Sequence, residues 1–280
     1  MIENQGKREQ KIVTIFDDIY DLPDCRSYYR AMDHAGFRTA HFAAAGFRRA
    51  LAALKAARGL EAANVIDFAS GYGIGAALMR FAPGLDDVLA RYRDDWFDGA
   101  ASDAVIAADR DWLADQRCAD SVERFAGIDI AGHALGYAHS VGIFDAVYPE
   151  NLQAGDPGAA LKAELGACDL IIECGSVAHM LPAALDRMLA AAARDPWVIT
   201  APIRGNDTAE AIEVMRDYGL EVAPLGGAPF RHRRFADAGE QARAIANAQA
   251  RGHVTEGYES TGFFHARLLL ARPAGEKAAL

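Results

Sequence analysis

The stretch DFASGYGIG, Asp67 to Gly75, gathers residue types suited to ligand chemistry in this 280-residue chain. A carboxylate is followed at once by a glycine turn, which sets an anionic side chain beside a backbone that a ligand can approach closely. A diphosphate would be repelled by Asp67, whereas an amino-acid ammonium group would be held by it. Further on, RFAGIDIAGHALGYA places Asp129 between an apolar run and a helical segment, where an ionised carboxylate can accept from two hydroxyl donors at once. The run CDLIIECGSVAHM then delivers Glu173, Cys174, Gly175, Ser176 and His179 to one end of a strand. Glu173 and His179 are candidates for a general base, as are His34 and His41 near the start. Each histidine reads first as a surface or hydrogen-bonded structural imidazole and second as a base, and Cys174 beside a glycine reads as packing before nucleophile.

These residues need elements to hold them. NVIDFAS is too short and apolar for a helix and is followed by glycines and GIGAALMRFA, which predicts strand, turn and helix. The alternation resumes with RFAGIDI as strand, AGHALGYAHSVG as helix, AVYPENL and CDLIIECGS as strands, LPAALDRMLAAAARD as helix and WVITAP as strand. NDTAEAIEVMRDYG then reads as helix, LEVAPL as strand and FFHARLLLARP as one long last strand. Strands alternating with helices predict an α/β fold with a doubly wound, mostly parallel sheet covered on both faces. Residues 1–60 form a helical N-terminal extension in which Asp24 or Ser27 can cap SYYRAMDHAG, and a second helix ends at Gly59. Residues 61–280 form the sheet domain, with insertions at 83–124 and 227–256. The first insertion carries five arginines against ten aspartates and one glutamate, a net of −6. Ser102 can cap a helix there that puts Val105, Ile106, Trp112 and Leu113 on one face; Asp86 and Asp87 read as helix caps. The second contains Arg231, His232, Arg233 and Arg234, a solvated loop or a site for an acidic substrate.

The formal charge of −10 disfavours DNA or RNA as a partner and favours a small molecule. Apolar residues make up 51% and charged residues 24%, a soluble composition that, without a long uncharged stretch, argues against a membrane span. The four cysteines have no zinc-like spacing with histidine, so no metal is expected, and free thiols predict a reducing, cytoplasmic setting. The polar first residues argue against a secretory signal. A homodimer is compatible with the helical insertions, which serve dimerisation as readily as substrate capture.

With its acidic residue and glycine turn, D-F-A-S-G-Y-G resembles the first motif of the class I S-adenosylmethionine-dependent methyltransferases, whose fold is Rossmann-like. The likeness spans roughly residues 64 to 271, strongest at this motif. It implies that Asp67, Ala69, Ser70, Gly71, Tyr72 and Gly73 hold the cofactor's methionine end, that Asp129 holds both ribose hydroxyls with Ile130 beside it, and that Asn151 and Leu152 touch adenine. Glu173 and Cys174 complete the cofactor edge, and Asp169 starts the fourth strand as is common there. The interval from Gly71 to Asp129 far exceeds the roughly 20 residues of a dinucleotide fold; the acidic insertion accounts for the excess. Tyr20, Tyr28, Tyr29 and Phe37, with Tyr72, are candidates for an N-terminal lid over the sulfonium, since aromatic faces attract cations. Tyr28 and Tyr29 thereby join His179 and Glu173 as catalytic candidates, although aromatics at helical spacing are often simply core.

The N-P-P-Y sequence of nucleic-acid and glutamine methylators and the metal pattern of catechol methylators are both missing, so the resemblance implies methyl transfer to an unidentified small molecule. A few relatives instead make S-adenosylmethionine its own substrate: the α-amine attacks the γ-carbon, releasing methylthioadenosine and closing azetidine-2-carboxylate. A noncatalytic nucleotide-binding protein or a NAD-dependent oxidoreductase is a third reading, opposed by Asp67 before the turn and by the absence of a correctly spaced third glycine.

Overall fold

A computed structural model of the chain describes residues 18–174 and 181–276. Five short apolar runs form the parallel part of one sheet: β1 (Asn64–Phe68), β2 (Arg124–Ile128), β3 (Ala146–Tyr148), β4 (Leu170–Ile172) and β5 (Trp197–Thr200). The full order is β3-β2-β1-β4-β5-β9-β6, with β6 (Leu220–Pro224) at the edge and β9 (Leu269–Pro273) antiparallel to both its neighbours. Alternate residues face opposite sides. Val65, Phe125, Leu170 and Ile172 join one core, whereas Ile66, Ala126, Ile128 and Ile171 join the other.

The first core is closed by α1 (Arg26–Ala35), α2 (Thr39–Arg58), α3 (Ile74–Arg80) and α7 (Gly132–Ser140). Phe47, Ala50 and Leu54 of α2 are buried there together with the α3 side chains, so the N-terminal extension is built into the sheet's own core. As expected, α2 stops where Gly59 adopts a left-handed conformation, φ 64°. The second core is closed by α8 (Ala159–Gly166), α9 (Pro182–Ala191) and α10 (Ala209–Asp217). Helix α8 has no counterpart among the sequence expectations: its apolar face is short, with Leu161 and Leu165 the buried contacts.

The acidic insertion folds as α4 (Leu85–Arg91), α5 (Trp96–Gly99) and α6 (Ser102–Ala114). Asp87 caps α4 by accepting from Gly84 N–H at 2.9 Å, as anticipated, while Asp86 pairs with Arg38. Ser102, expected as a cap, is instead the first residue of α6 and donates to Asp24 at 2.6 Å. The residues expected to form one last strand split in two. Phe263–Ala266 (β8) pairs with β7 (Phe230–Arg234) in a separate hairpin, and only Leu269–Pro273 enters the main sheet. The chain turns at Arg267 and Leu268, whose backbones bond to Pro202 and Leu225, because one straight strand could not serve two sheets. Arg231 to Arg234 are therefore strand residues, with α11 (Ala238–Ala250) following. Among the described residues no helix is long and apolar enough to cross a membrane.

Candidate functional site

In a doubly wound sheet, ligands bind beyond the carboxyl ends of the strands where the order reverses. Here that point lies between β1 and β4. Asp67, the penultimate residue of β1, is 1% exposed. Its Oδ2 accepts from Ala76 N–H of α3 at 3.0 Å, while Oδ1 is buried without a hydrogen-bond partner. Ser70 Oγ in the adjoining turn is buried and unpartnered as well. Burial, together with the negative charges of Glu173 and Asp129, pushes the Asp67 carboxyl up to about 8. The turn is tightly bent: Gly71 and Gly73 have φ of 50° and 76°, and Ala69 takes φ 52°, a left-handed conformation rare for a residue with a Cβ. A side chain at Gly73 would collide with Ile143 and Phe144, so its identity is explained by packing.

Asp129 sits one residue past β2. Its Oδ2 accepts from Gly71 N–H at 2.8 Å and its Oδ1 from Ala131 N–H at 2.9 Å, which ties the two strand ends together. A third donor comes from the N-terminal extension: Tyr20 O–H reaches Asp129 Oδ2 at 2.9 Å and lies so close to Gly71 that a Cβ there would meet it at 2.6 Å. Neighbouring residues fasten this strap. Asp21 accepts from the His133 and Ala134 N–H groups at the start of α7, and the Tyr72 hydroxyl bonds both to Leu22 N–H and to Leu22 C=O at 3.0 Å.

Four of the five expected lid aromatics converge here. Tyr28 lies 5.4 Å from Tyr20, 5.9 Å from Tyr29 and 5.2 Å from Tyr72, ring centre to ring centre. Burial and the charge of Asp129 push the Tyr28 phenol above its ordinary value, which keeps it protonated. Phe37 does not join them: it packs edge-on against His232 of β7, far along the chain, and helps dock the α1–α2 corner on the hairpin. His34 and His41 are exposed. His179, Gly175 and Ser176 lie outside the described residues.

Glu173 is buried and accepts from Thr200 O–H at 2.7 Å and Ala201 N–H at 3.2 Å, so it braces the end of β5 as well as facing Asp67. Burial raises the Cys174 thiol well above its ordinary value, with Asp67 and Glu173 adding to it, which keeps it protonated and unreactive. The adenine candidates fare differently. Ile130 is 70% exposed beside Asp129, an apolar surface at the crevice mouth. Leu152 is buried in the second core, and the Asn151 carboxamide accepts from Gln153 and Ala154 N–H in its own turn, so both have structural work. Asp169 accepts from Asn64 N–H at the opposite end of the sheet. The arginines of β7 are engaged: Arg233 pairs with Glu240, Arg231 lies over Phe263 and Arg234 bonds to the His34 carbonyl.

Asp109 of α6 is a further site-side carboxylate that the insertion's many acids mask in the sequence. It is 0% exposed and accepts from Tyr137 O–H at 2.8 Å, Tyr92 O–H at 3.0 Å and Arg91 Nε at 2.8 Å, with the Cys25 thiol at 3.8 Å. Its position was marked in the sequence, since it falls four residues after Val105 and four before Leu113 on the apolar face. A cavity of about 350 Å³ lies between the strap, α1 and the insertion. Its arginines are already used, Arg26 on Asp24, Phe97 and Ala100 and Arg30 on Tyr92 and Asp98, so it joins the strap to the insertion. Among the described residues no group of three or more His, Cys, Asp or Glu is placed to hold a metal ion.

The strand order, its reversal beside β1 and the antiparallel β9 give the chain a class I methyltransferase fold, Rossmann-like and mostly parallel. No protein-family model matches the chain, and no curated protein matches it. Among solved structures it is similar in fold to a TehB-like S-adenosylmethionine-dependent methyltransferase from Corynebacterium glutamicum, 14% identical over 87% of this chain and 94% of that one, with a TM-score of 0.40. It is also similar to the YcgJ protein from Bacillus subtilis, 10% identical over 79% and 97%, TM-score 0.45. Magnesium protoporphyrin IX methyltransferase from Synechocystis, solved with S-adenosylmethionine bound, is 13% identical over 82% and 81%, TM-score 0.36. These likenesses concern the path of the chain and have no bearing on its substrate.

Proposed function

We propose that this protein binds S-adenosylmethionine at the ends of β1, β2 and β4 and transfers its methyl group to a small molecule. The observation that carries this reading is the buried, unpartnered Asp67 Oδ1 with two further carboxylates, Glu173 and Asp129, acting on it, a group of acids to which a cation is complementary. Asp67 would hold the ammonium group, Asp129 the ribose hydroxyls and Ile130 one face of adenine. The bound cofactor would supply an electrophilic carbon on a sulfonium. The chain's own work is to hold that cation against tyrosine faces, exclude water and align an acceptor. For Asp129 to serve the ribose, Tyr20 must yield its place or share the carboxylate, which still has acceptor capacity on Oδ1.

A second reading is favoured by one observation. A carboxyl held at about 8 matches an α-amine, whose ordinary value is about 8, so Asp67 is suited to exchange a proton with it. With S-adenosylmethionine as sole substrate, ionised Asp67 would take a proton from the ammonium. The freed nitrogen would attack the γ-carbon as the carbon–sulfur bond breaks, giving azetidine-2-carboxylate and methylthioadenosine. Incubation with S-adenosylmethionine alone, followed by chromatography, separates the readings. Methylthioadenosine without an acceptor supports cyclisation, whereas S-adenosylhomocysteine formed only with an acceptor supports methyl transfer. Failure of the protein to bind S-adenosylmethionine in calorimetry rejects both.

A further inference from the structure

The acidic insertion reaches the crevice from outside the strand ends that form it. Its buried carboxylate, Asp109, is linked to the crevice through rings in contact. Asp109 grips the hydroxyls of Tyr92 and Tyr137. Tyr92 stacks on Tyr29 at 5.3 Å with ring planes 28° apart, and Tyr137 meets Tyr72 edge-on at 5.7 Å. Tyr29 and Tyr72 in turn flank Tyr28, which touches Tyr20 above Asp129. The same carboxylate lies within reach of the Cys25 thiol, just before α1 carries Tyr28 and Tyr29 into place. Arg91 balances its charge and is itself sandwiched with Phe97 and Trp112, at 5.2 and 4.7 Å. A group that bonds to α4, α7 and the start of α1 at once fixes the mutual orientation of the rings those elements carry.

We infer that Asp109 is a positioning residue: through Tyr92 and Tyr137, which back the buried rings of Tyr29 and Tyr72, it sets the angle at which the partly exposed Tyr28 presents its face to the sulfonium of S-adenosylmethionine. The inference rests on the cofactor reading above and deepens it, because it makes the insertion responsible for recognising the cation. The attraction between a ring face and a cation depends on where the cation lies over the ring, whereas ordinary apolar contact is less demanding. A tilt of the panel should therefore weaken a sulfonium ligand more than its neutral counterpart.

S-adenosylhomocysteine is that counterpart, a thioether lacking one methyl group and the positive charge. Calorimetric affinities of both ligands for the full chain, for Asp109→Asn and for the double variant Tyr92→Phe/Tyr137→Phe test the inference. The expected result is a three- to tenfold fall in the preference for S-adenosylmethionine over S-adenosylhomocysteine in both variants. The double variant keeps every ring and guards against poor folding of Asp109→Asn. An unchanged preference, including a parallel loss of both affinities, overturns the positioning role and leaves the cofactor reading standing. If the unmodified chain binds neither ligand, the cofactor reading fails and this inference with it.

Discussion

Two buried carboxylates in this molecule have opposite surroundings. Asp109 in the insertion accepts from two tyrosine hydroxyls and an arginine, with a thiol nearby. Asp67 at the sheet edge has one backbone donor, an orphan oxygen and two acidic neighbours. A satisfied buried charge knits elements together, while an unsatisfied one raises the free energy of the empty fold and returns it when a cation arrives. The difference separates the part of the molecule that holds shape from the part where the proposed ligand would bind.

The comparison can be broken most forcefully at Asp109. Replacing it with alanine strands Arg91 and two hydroxyls in the core and should cost about 3 to 5 kcal/mol, read by chemical denaturation. A loss below about 1 kcal/mol would show the network to be dispensable. Asp129→Ala should weaken S-adenosylmethionine binding more than tenfold, in keeping with charged hydrogen bonds of roughly 1.5 to 3 kcal/mol; equal affinity by calorimetry would dismiss the ribose role.

Asp67 sharpens the contrast through pH. Its folded value, about 8, lies above the unfolded carboxylate value near 3.9, so the folded state binds more protons between them. Its contribution must make the empty protein less stable as pH rises from about 4 to about 8. Asp67→Asn should flatten that part of the melting-temperature profile. Ligand binding at pH 7 should expel close to one proton from the unmodified chain, seen as a binding heat that varies with the buffer's ionisation enthalpy, and none from Asp67→Asn. A gentler change is Tyr20→Phe, which removes a competitor for Asp129. It should tighten S-adenosylmethionine binding by up to about tenfold, or about 1.4 kcal/mol; weaker binding would mean that the hydroxyl helps hold the ligand. Smallest of all, Ala69→Gly relieves a left-handed backbone at the expense of a more flexible unfolded chain, and should shift stability by no more than about 1 kcal/mol.

Much of this architecture was readable from short-range pattern. Apolar runs such as Val65–Ile66 and Leu170–Ile172 and the glycines after Asp67 located the parallel strands and the crevice, because burial on both faces leaves a local imprint. Asp109 was half legible: its spacing from Val105 and Leu113 put it on the buried face, but ten aspartates in one segment hid which was enclosed. What escaped were partnerships across long stretches of chain. Tyr20 meets Asp129 across 109 residues, and no periodicity records such a meeting. The break between β8 and β9 escaped for a related reason, since FFHARLLLARP is uniformly strand-like and its partition is decided by the partners on either side.

That break has a mechanical consequence. The hairpin it creates receives the α1–α2 corner, where His232 C=O accepts from Arg38 N–H at 2.7 Å and the His232 ring meets Thr39 Oγ1 at 2.5 Å, while just past the hairpin's second strand, β8, the chain runs between β5 and β6 as β9. The corner, from His34 and Phe37 to Thr39, is thereby clamped to the frame like the fixed leaf of a hinge, and any swing of the tyrosine-bearing segment must pivot on the N-terminal side of His34.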